Sequence, residues 1–243
     1  MTTCGIIPAR FDSQRFKGKV LEKIKGKSML WHVYNRAKEA QLLDDVIIAT
    51  DNKKIQKEAE NFGAEVVMTS PEATTGTDRI AEVAQSLSHD IIINIQGDEP
   101  LIDPKLIDKL VQTLSDDESL KIVTAVFKCN KKNYLEGQDV VKVVKDADDY
   151  ALYFSRSLIP YPRCVDEVNF YKHLGIYAYR RMFLLTFATL APSELEVIEG
   201  LEQLRMLEYG YRIKVVEAEN DSIGVDTPEE LEKVKMIMEK SSA

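Results

Sequence analysis

The run Ile91-Ile92-Ile93-Asn94-Ile95, followed at once by Gln96-Gly97-Asp98-Glu99-Pro100, decides the fold class. A short, continuously apolar run is buried on both faces. That is the condition of a parallel strand covered by helices on either side. Three earlier runs read the same way: Gly5-Ile6-Ile7, Asp45 to Thr50, and Glu65 to Met68. Helical patterns lie between them. Met29, Leu30, Val33, Ala37 and Ala40 share one face, with Ser28 as a cap. Ile55, Ala59 and Phe62 share another, capped by Asp51 or Asn52 and stopped at Gly63. Ile80, Val83, Ala84 and Leu87 form a third, and Asp103-Pro104 opens a fourth. This alternation predicts an α/β, doubly wound domain with right-handed crossovers.

The pattern changes after about residue 120. Strands are expected over 121–127, 140–145, 150–154, 173–179 and 212–217, several with alternating polarity. They predict a mostly parallel but mixed sheet with a small β-rich lobe inserted near residues 128–172. Ser193-Glu194-Leu195-Glu196 is a capping box, and one long helix is expected from it to Gly210. Thr227-Pro228-Glu229-Glu230 opens a C-terminal helix. No Gly/Ser-rich or proline-rich linker interrupts the 243 residues, so they read as one domain, 1–243.

Forty acidic residues against 32 basic ones give a net charge of -8. That balance argues against a nucleic-acid surface or an anionic membrane surface, which need a positive field. Cys4, Cys129 and Cys164 are odd in number and widely spaced, so neither a disulfide framework nor a zinc knuckle is expected. The first residues lack a basic segment and a long apolar run, so no signal peptide is expected. No apolar run approaches the ~20 residues of a membrane helix. A cytoplasmic protein with no membrane insertion is the resulting expectation.

Against that acidic background, Pro8 to Lys19 gathers Arg10, Arg15, Lys17 and Lys19 directly after the first strand. In open α/β sheets ligands bind at that edge, and Arg and Lys clamp phosphoryl oxygens there. A solvated basic loop is the plainer reading, and the placement tips the balance away from it. The stretch is neither GxGxxG nor Walker A. Asp98 stands at the same edge, where a carboxylate can serve magnesium, which takes one or two of them plus substrate phosphates. Asp226, before the last helix, suits the helix dipole and also a second ligand position opposite Asp98. Thr75 to Arg79 opens a helix and offers backbone N–H groups and one arginine to an anion. His173, at a strand start, reads as structural on its own.

Several of these stretches occur in a family-specific order: Pro8-Ala9-Arg10-x-x-Ser13-x-Arg15, Thr75 to Arg79, Gln96 to Pro100, and Tyr153-Phe154-Ser155-Arg156. His173 to Tyr177, Leu201-Glu202-Gln203-Leu204-Arg205 and Gly224 to Pro228 follow. Together, from about residue 3 to 235, the chain resembles the 3-deoxy-manno-octulosonate cytidylyltransferases. The resemblance implies a nucleotidyltransferase-type fold, a homodimer, with the 128–172 lobe as its contact, and a magnesium-dependent reaction of CTP with the acidic sugar Kdo for lipopolysaccharide. It implies that Arg10, Ser13, Arg15 and Lys19 grip the nucleotide and its phosphates, with Arg15 and Lys19 absorbing charge on the leaving diphosphate. Thr77, Arg79 and Gln96 would be shared between nucleotide and sugar. Asp98 and Asp226 would ligate the metal, and Arg156, His173, Glu202 and Gln203 would form the sugar pocket.

Two stretches depart from the family pattern. Arg15-Phe16-Lys17-Gly18-Lys19 replaces Arg-Leu-Pro-Gly-Lys, losing a proline and adding a charge, and Ala178 replaces a glycine. The 8-amino analogue of Kdo, or another acidic sugar, stays open as an acceptor. A nucleotide-binding module without catalysis would be expected to lack the aspartate pair.

Overall fold

The computed structural model describes residues 1–12, 16–73, 75–129, 137, 139–163 and 169–240. Ser13, Arg15 and Cys164 therefore lie outside the described residues, as does part of the expected 128–172 lobe.

The first half is built from β1 (Thr3–Pro8), β4 (Asp45–Thr50), β5 (Glu65–Met68) and β6 (Ile91–Asn94), all parallel. A two-stranded hairpin, β2 (Lys23–Ile24) with β3 (Lys27–Ser28), precedes the first long helix and was not anticipated. Helices α1 (Met29–Lys38), α2 (Lys53–Asn61), α3 (Gly76–Gln85) and α4 (Pro104–Asp116) stand between the strands. The caps of α1, α2 and α4 are Ser28, Asn52 and Asp103, each side chain accepting an N–H of the first turn. Consecutive isoleucines divide between the two faces of the sheet. Ile7, Ile48 and Ile93 pack with α1, α2 and α4, whereas Ile6, Ile47 and Ile92 pack with α3. Side chains alternate along a strand, so only an unbroken apolar run supplies both cores.

The second half adds β7 (Ile122–Cys129), β8 (Lys142–Lys145), β9 (Ala151–Ser155), β10 (Phe170–Arg180) and β11 (Lys214–Glu217). The sheet order is β11-β7-β10-β6-β1-β4-β5. Only β10 runs against its neighbours in this order, among the described residues. The sheet is thus mostly parallel and mixed, and β8 pairs with β9 and touches β10 at Lys142 opposite Lys172. The chain leaves β1 toward β4 and β5, then returns to β6 on the other side of β1. This makes the β1–β6 boundary a switch point, where the loops after both strands open a crevice.

Two helical expectations are corrected. Helix α5 (Arg181–Phe187) follows β10 with no intervening turn and was not foreseen. The long helix expected from Ser193 to Gly210 is two short ones, α6 (Glu194–Glu199) and α7 (Gln203–Glu208). Gly200 adopts φ 63°, a left-handed conformation that ends α6. The capping box of Ser193 and Glu196 is present, and Gly210 (φ 80°) follows the end of α7. The last helix, α8 (Pro228–Lys240), buries Leu231 and Val234 against Ile24, Met29 and Val225. That small cluster seats the Asp226 loop against the β2–β3 hairpin. Among the described residues no helix is long and apolar enough to cross a membrane.

Candidate active site

Two adjoining cavities open along the crevice between β1 and β6. The first, about 240 Å³, is lined by the end of β1, Arg10, Lys19, the start of α3, Gln96, Gly97, Asp98 and Asp226. The second, about 350 Å³, is lined by Thr77, Asn94, His173, Gly175, Tyr177, Glu202 and Gln203 among others. Arg10, Thr75, Gly76 and Gln96 border both. Residues from six separate stretches of sequence meet in this crevice.

The first cavity has an ion cluster at its edge. Lys19 Nζ lies 2.5 Å from Asp98 Oδ2 and 2.6 Å from Asp226 Oδ1. Burial lowers the lysine's affinity for its proton, but the charges and hydrogen bonds of the two aspartates outweigh that and raise its pKa. The loops bearing the aspartates are tied directly, since the Val225 N–H donates to the Asp98 carbonyl at 2.9 Å. The cap of α8 fixes Asp226 further. Glu230 accepts from the N–H groups of Asp226 (2.7 Å) and Thr227 (3.0 Å). Among the described residues there is no cluster of three or more His, Cys, Asp or Glu suited to a metal. A pair of carboxylates converging on one cationic centre nonetheless fits magnesium, which commonly takes two protein carboxylates and completes its shell from phosphates and water.

Glu99, the second carboxylate that the Gln96 to Pro100 stretch offers at this edge, does not join the pair. It is buried, accepts from Ser222 Oγ at 2.6 Å, and its pKa is raised to about 7 by burial, partly offset by that hydrogen bond. Lys172, on β10, donates to Asp221 Oδ1 (2.8 Å) and to the Ser222 carbonyl (2.9 Å). Glu99 and Lys172 thus brace the segment that leads into Asp226.

The second cavity has a neutral floor. His173 packs against Phe154 and Tyr177, and burial lowers its pKa to about 3. Thr124 Oγ1 lies 2.9 Å from the Ile176 carbonyl and 3.4 Å from that of Leu174. His173 Nε2 lies 3.0 Å from the same hydroxyl oxygen. Glu202 Oε2 accepts from Thr77 Oγ1 at 2.5 Å, bridging the α6–α7 turn to the start of α3. Gln96 Nε2 donates to the Gly175 carbonyl at 3.0 Å, bridging the β6 loop to β10.

Two expected site residues sit differently. Arg79 borders the first cavity but is only 3% exposed, and its guanidinium is held by Thr69, Asp51 and the Ala73 carbonyl. Arg156 lines neither cavity, and it donates to the carbonyls of Glu199 (2.8 Å) and Gly200 (3.3 Å). Glu199, at the end of α6, turns away from Glu202 and accepts from Ser155 Oγ (2.7 Å) and the Arg156 N–H (2.9 Å). The break at Gly200 sends the two glutamates in different directions. The additional Lys17 is exposed and pairs with Asp12 at 2.9 Å. Cys4 is buried, and its thiol is pushed up to about 12, chiefly by burial, so it is no nucleophile.

A family profile described as cytidylyltransferase matches residues 4–215. A 3-deoxy-manno-octulosonate cytidylyltransferase of Fusobacterium nucleatum subsp. nucleatum is 48% identical over 235 residues, covering 96% of each chain. One from Pelobacter propionicus is 50% identical over 246 residues, covering 97% of this chain and 96% of the relative. Among solved structures, a CMP:2-keto-3-deoxy-manno-octonic acid synthetase complexed with CTP superposes with a TM-score of 0.95. It shares 40% identity and covers 99% of this chain and 100% of its own.

Proposed function

The chain belongs to the 3-deoxy-manno-octulosonate cytidylyltransferase family and transfers CMP from CTP to Kdo for lipopolysaccharide assembly, and from that premise we propose how its side chains share the work. The nucleotide occupies the first cavity and the sugar acid the second. The observation that carries this assignment is the shared border of Arg10, Thr75, Gly76 and Gln96, where an α-phosphate and a sugar hydroxyl can meet.

Arg10 and the loop through Ser13 and Arg15 grip the phosphates, and Gln96 contacts both substrates. His173, Thr77, Glu202 and Gln203 orient the sugar through a neutral imidazole and an anchored carboxylate. Arg79 and Arg156 act one step back. Arg79 holds the segment before α3, and Arg156 holds the turn that presents Glu202. Asp98 and Asp226 would hold magnesium, which when bound would supply Lewis-acid polarisation of a phosphate and make the attacking hydroxyl more acidic. The anomeric oxygen forms a bond to the α-phosphorus, the bond to the bridging oxygen of the β-phosphate breaks, and diphosphate leaves. The hydroxyl proton passes to solvent. No covalent intermediate with the protein is needed, because positioning and electrostatics dominate such transfers.

We further infer a cytoplasmic homodimer with its contact in the 128–172 lobe, checked by light scattering on gel-filtered protein. Asp98→Asn tests the metal assignment. It should lower kcat by on the order of 100-fold or more while the urea-unfolding midpoint stays within the range of a surface change. Near-normal turnover would remove Asp98 from that role.

A further inference from the structure

Lys19 enters the crevice from the short 3-10 helix Lys19–Leu21, to which neither aspartate belongs. Its ammonium lies between Asp98 Oδ2 and Asp226 Oδ1, and its side chain is only 10% exposed. The two aspartates come from different loops and face one another across the Lys19 ammonium, which is within hydrogen-bond distance of both. Without it they would be two like charges held together by the Val225–Asp98 backbone bond and the α8 cap. The chain itself supplies the ion that makes their approach favourable.

We propose that Lys19 is the resident counter-ion of the Asp98–Asp226 pair, which a divalent cation must displace and whose ammonium the nucleotide triphosphate then accepts. This rests on the reading of Asp98 and Asp226 as metal ligands. Magnesium takes carboxylate oxygens at about 2.0–2.1 Å, closer than an ammonium does. Both cations between the same two oxygens would lie within a few ångströms and repel each other strongly in a partly buried site. The exchange is therefore one for one. One ammonium offsets one of the pair's two negative charges, whereas a divalent cation offsets both. The displaced ammonium needs an anion, and it borders the cavity that also holds Arg10 and the start of α3, where the phosphates bind.

Two consequences follow. Metal uptake is opposed by Lys19 when no nucleotide is bound and favoured when phosphates draw the lysine away, so the two ligands are positively coupled. Lys19 is also a positioning residue, keeping the carboxylates convergent before either ligand arrives. A phosphate clamp alone would predict only weaker nucleotide binding on its removal. A counter-ion predicts that metal binding improves.

The test is manganese binding to the full-length protein without nucleotide, followed by electron paramagnetic resonance of the free ion. Lys19→Met should bind manganese about tenfold tighter than the unsubstituted protein, within the usual range for coupled sites. Adding Asp98→Asn to that variant should abolish the gain. A folded Lys19→Met protein that binds manganese no tighter overturns the counter-ion role. The metal reading fails separately if neither Asp98→Asn nor Asp226→Asn alters manganese binding in the CTP complex. Should Lys19→Met fail to fold, acylation of Lys19 in the unsubstituted protein, read by peptide mass spectrometry, gives the same answer. Saturating manganese without nucleotide should speed labelling of Lys19 severalfold, and an unchanged rate overturns the proposal.

Discussion

Adding one methyl group at Gly97 should damage this enzyme more than its size suggests. A Cβ built on Gly97 would lie 2.9 Å from the Pro8 carbonyl oxygen, a backbone atom at the end of β1. It would also lie 3.6 Å from Ile7 Cγ2 and 3.7 Å from Val20 Cγ1. The last two are ordinary contacts, so the carbonyl decides the outcome. A backbone oxygen cannot rotate away as a side chain can, so the β1 and β6 loops must separate. Overpacking of this kind costs about 1–3 kcal/mol. For a chain of this size each kcal/mol lowers Tm by roughly 2–4 °C. The separation also moves Asp98, the next residue, away from Asp226 and Lys19. Gly97→Ala should therefore lower kcat by on the order of 10–100-fold, in keeping with the sensitivity of transfer reactions to small misplacements. Gly175→Ala is the control, because its Cβ would meet only Gln96 Cγ at 3.6 Å and Glu99 Oε1 at 3.8 Å. Urea unfolding and diphosphate release from CTP and Kdo, measured on both variants, check the argument. A Gly97→Ala protein as stable and as active as the unsubstituted enzyme would refute it.

Other perturbations separate stability from catalysis. Arg205 donates from Nε to Glu196 Oε2 at 2.6 Å, with a second bond from Nη2, and its guanidinium lies 4.9 Å from the centre of the Phe187 ring. Arg205→Met leaves the buried Glu196 without its partner and should cost about 3–5 kcal/mol in denaturant titration. Arg205→Lys should recover only part of that, because a lysine cannot reproduce the fork. His173 stays neutral in the folded chain down to about pH 3, whereas an unfolded histidine takes its proton near pH 6.5. Between those values the unfolded state binds more protons, so stability from this group is lost as pH falls through 6.5 toward 3. The stability difference between the unsubstituted protein and His173→Gln should shrink by about 1.4 kcal/mol per pH unit below pH 6.5. A difference independent of pH would mean that His173 takes its proton at the same pH in the folded and unfolded chains.

The parallel half of the sheet was legible because its signal is local. The expected strands at 45–50 and 65–68 end where the observed β4 and β5 end, since each is an unbroken run bounded by turn residues. Capping chemistry placed α1, α4 and α8 for the same reason. The break at Gly200 was not legible. A glycine within a helical pattern costs only about 1 kcal/mol, so sequence alone does not separate a tolerated glycine from a left-handed stop. Helix α5 was hidden because Arg180 provides no side-chain cap and no turn residue separates it from β10. The placement of Arg10, Lys19 and Asp98 along the crevice was readable from their position after buried strands. The place of Lys19 between Asp98 and Asp226 was not, because those contacts span 79 and 207 residues. Arg79 and Arg156 carry the same motif signal whether they touch a ligand or brace a loop, and only their partners distinguish the two roles.

The most direct measurement is diphosphate release by the purified protein from CTP and magnesium, with Kdo and its 8-amino analogue tested side by side and the sugar nucleotide identified by mass. CTP-dependent formation of CMP-Kdo is expected, lost on omission of the divalent cation, with Kdo the faster acceptor. A folded protein that binds CTP but releases no diphosphate with Kdo would contradict it.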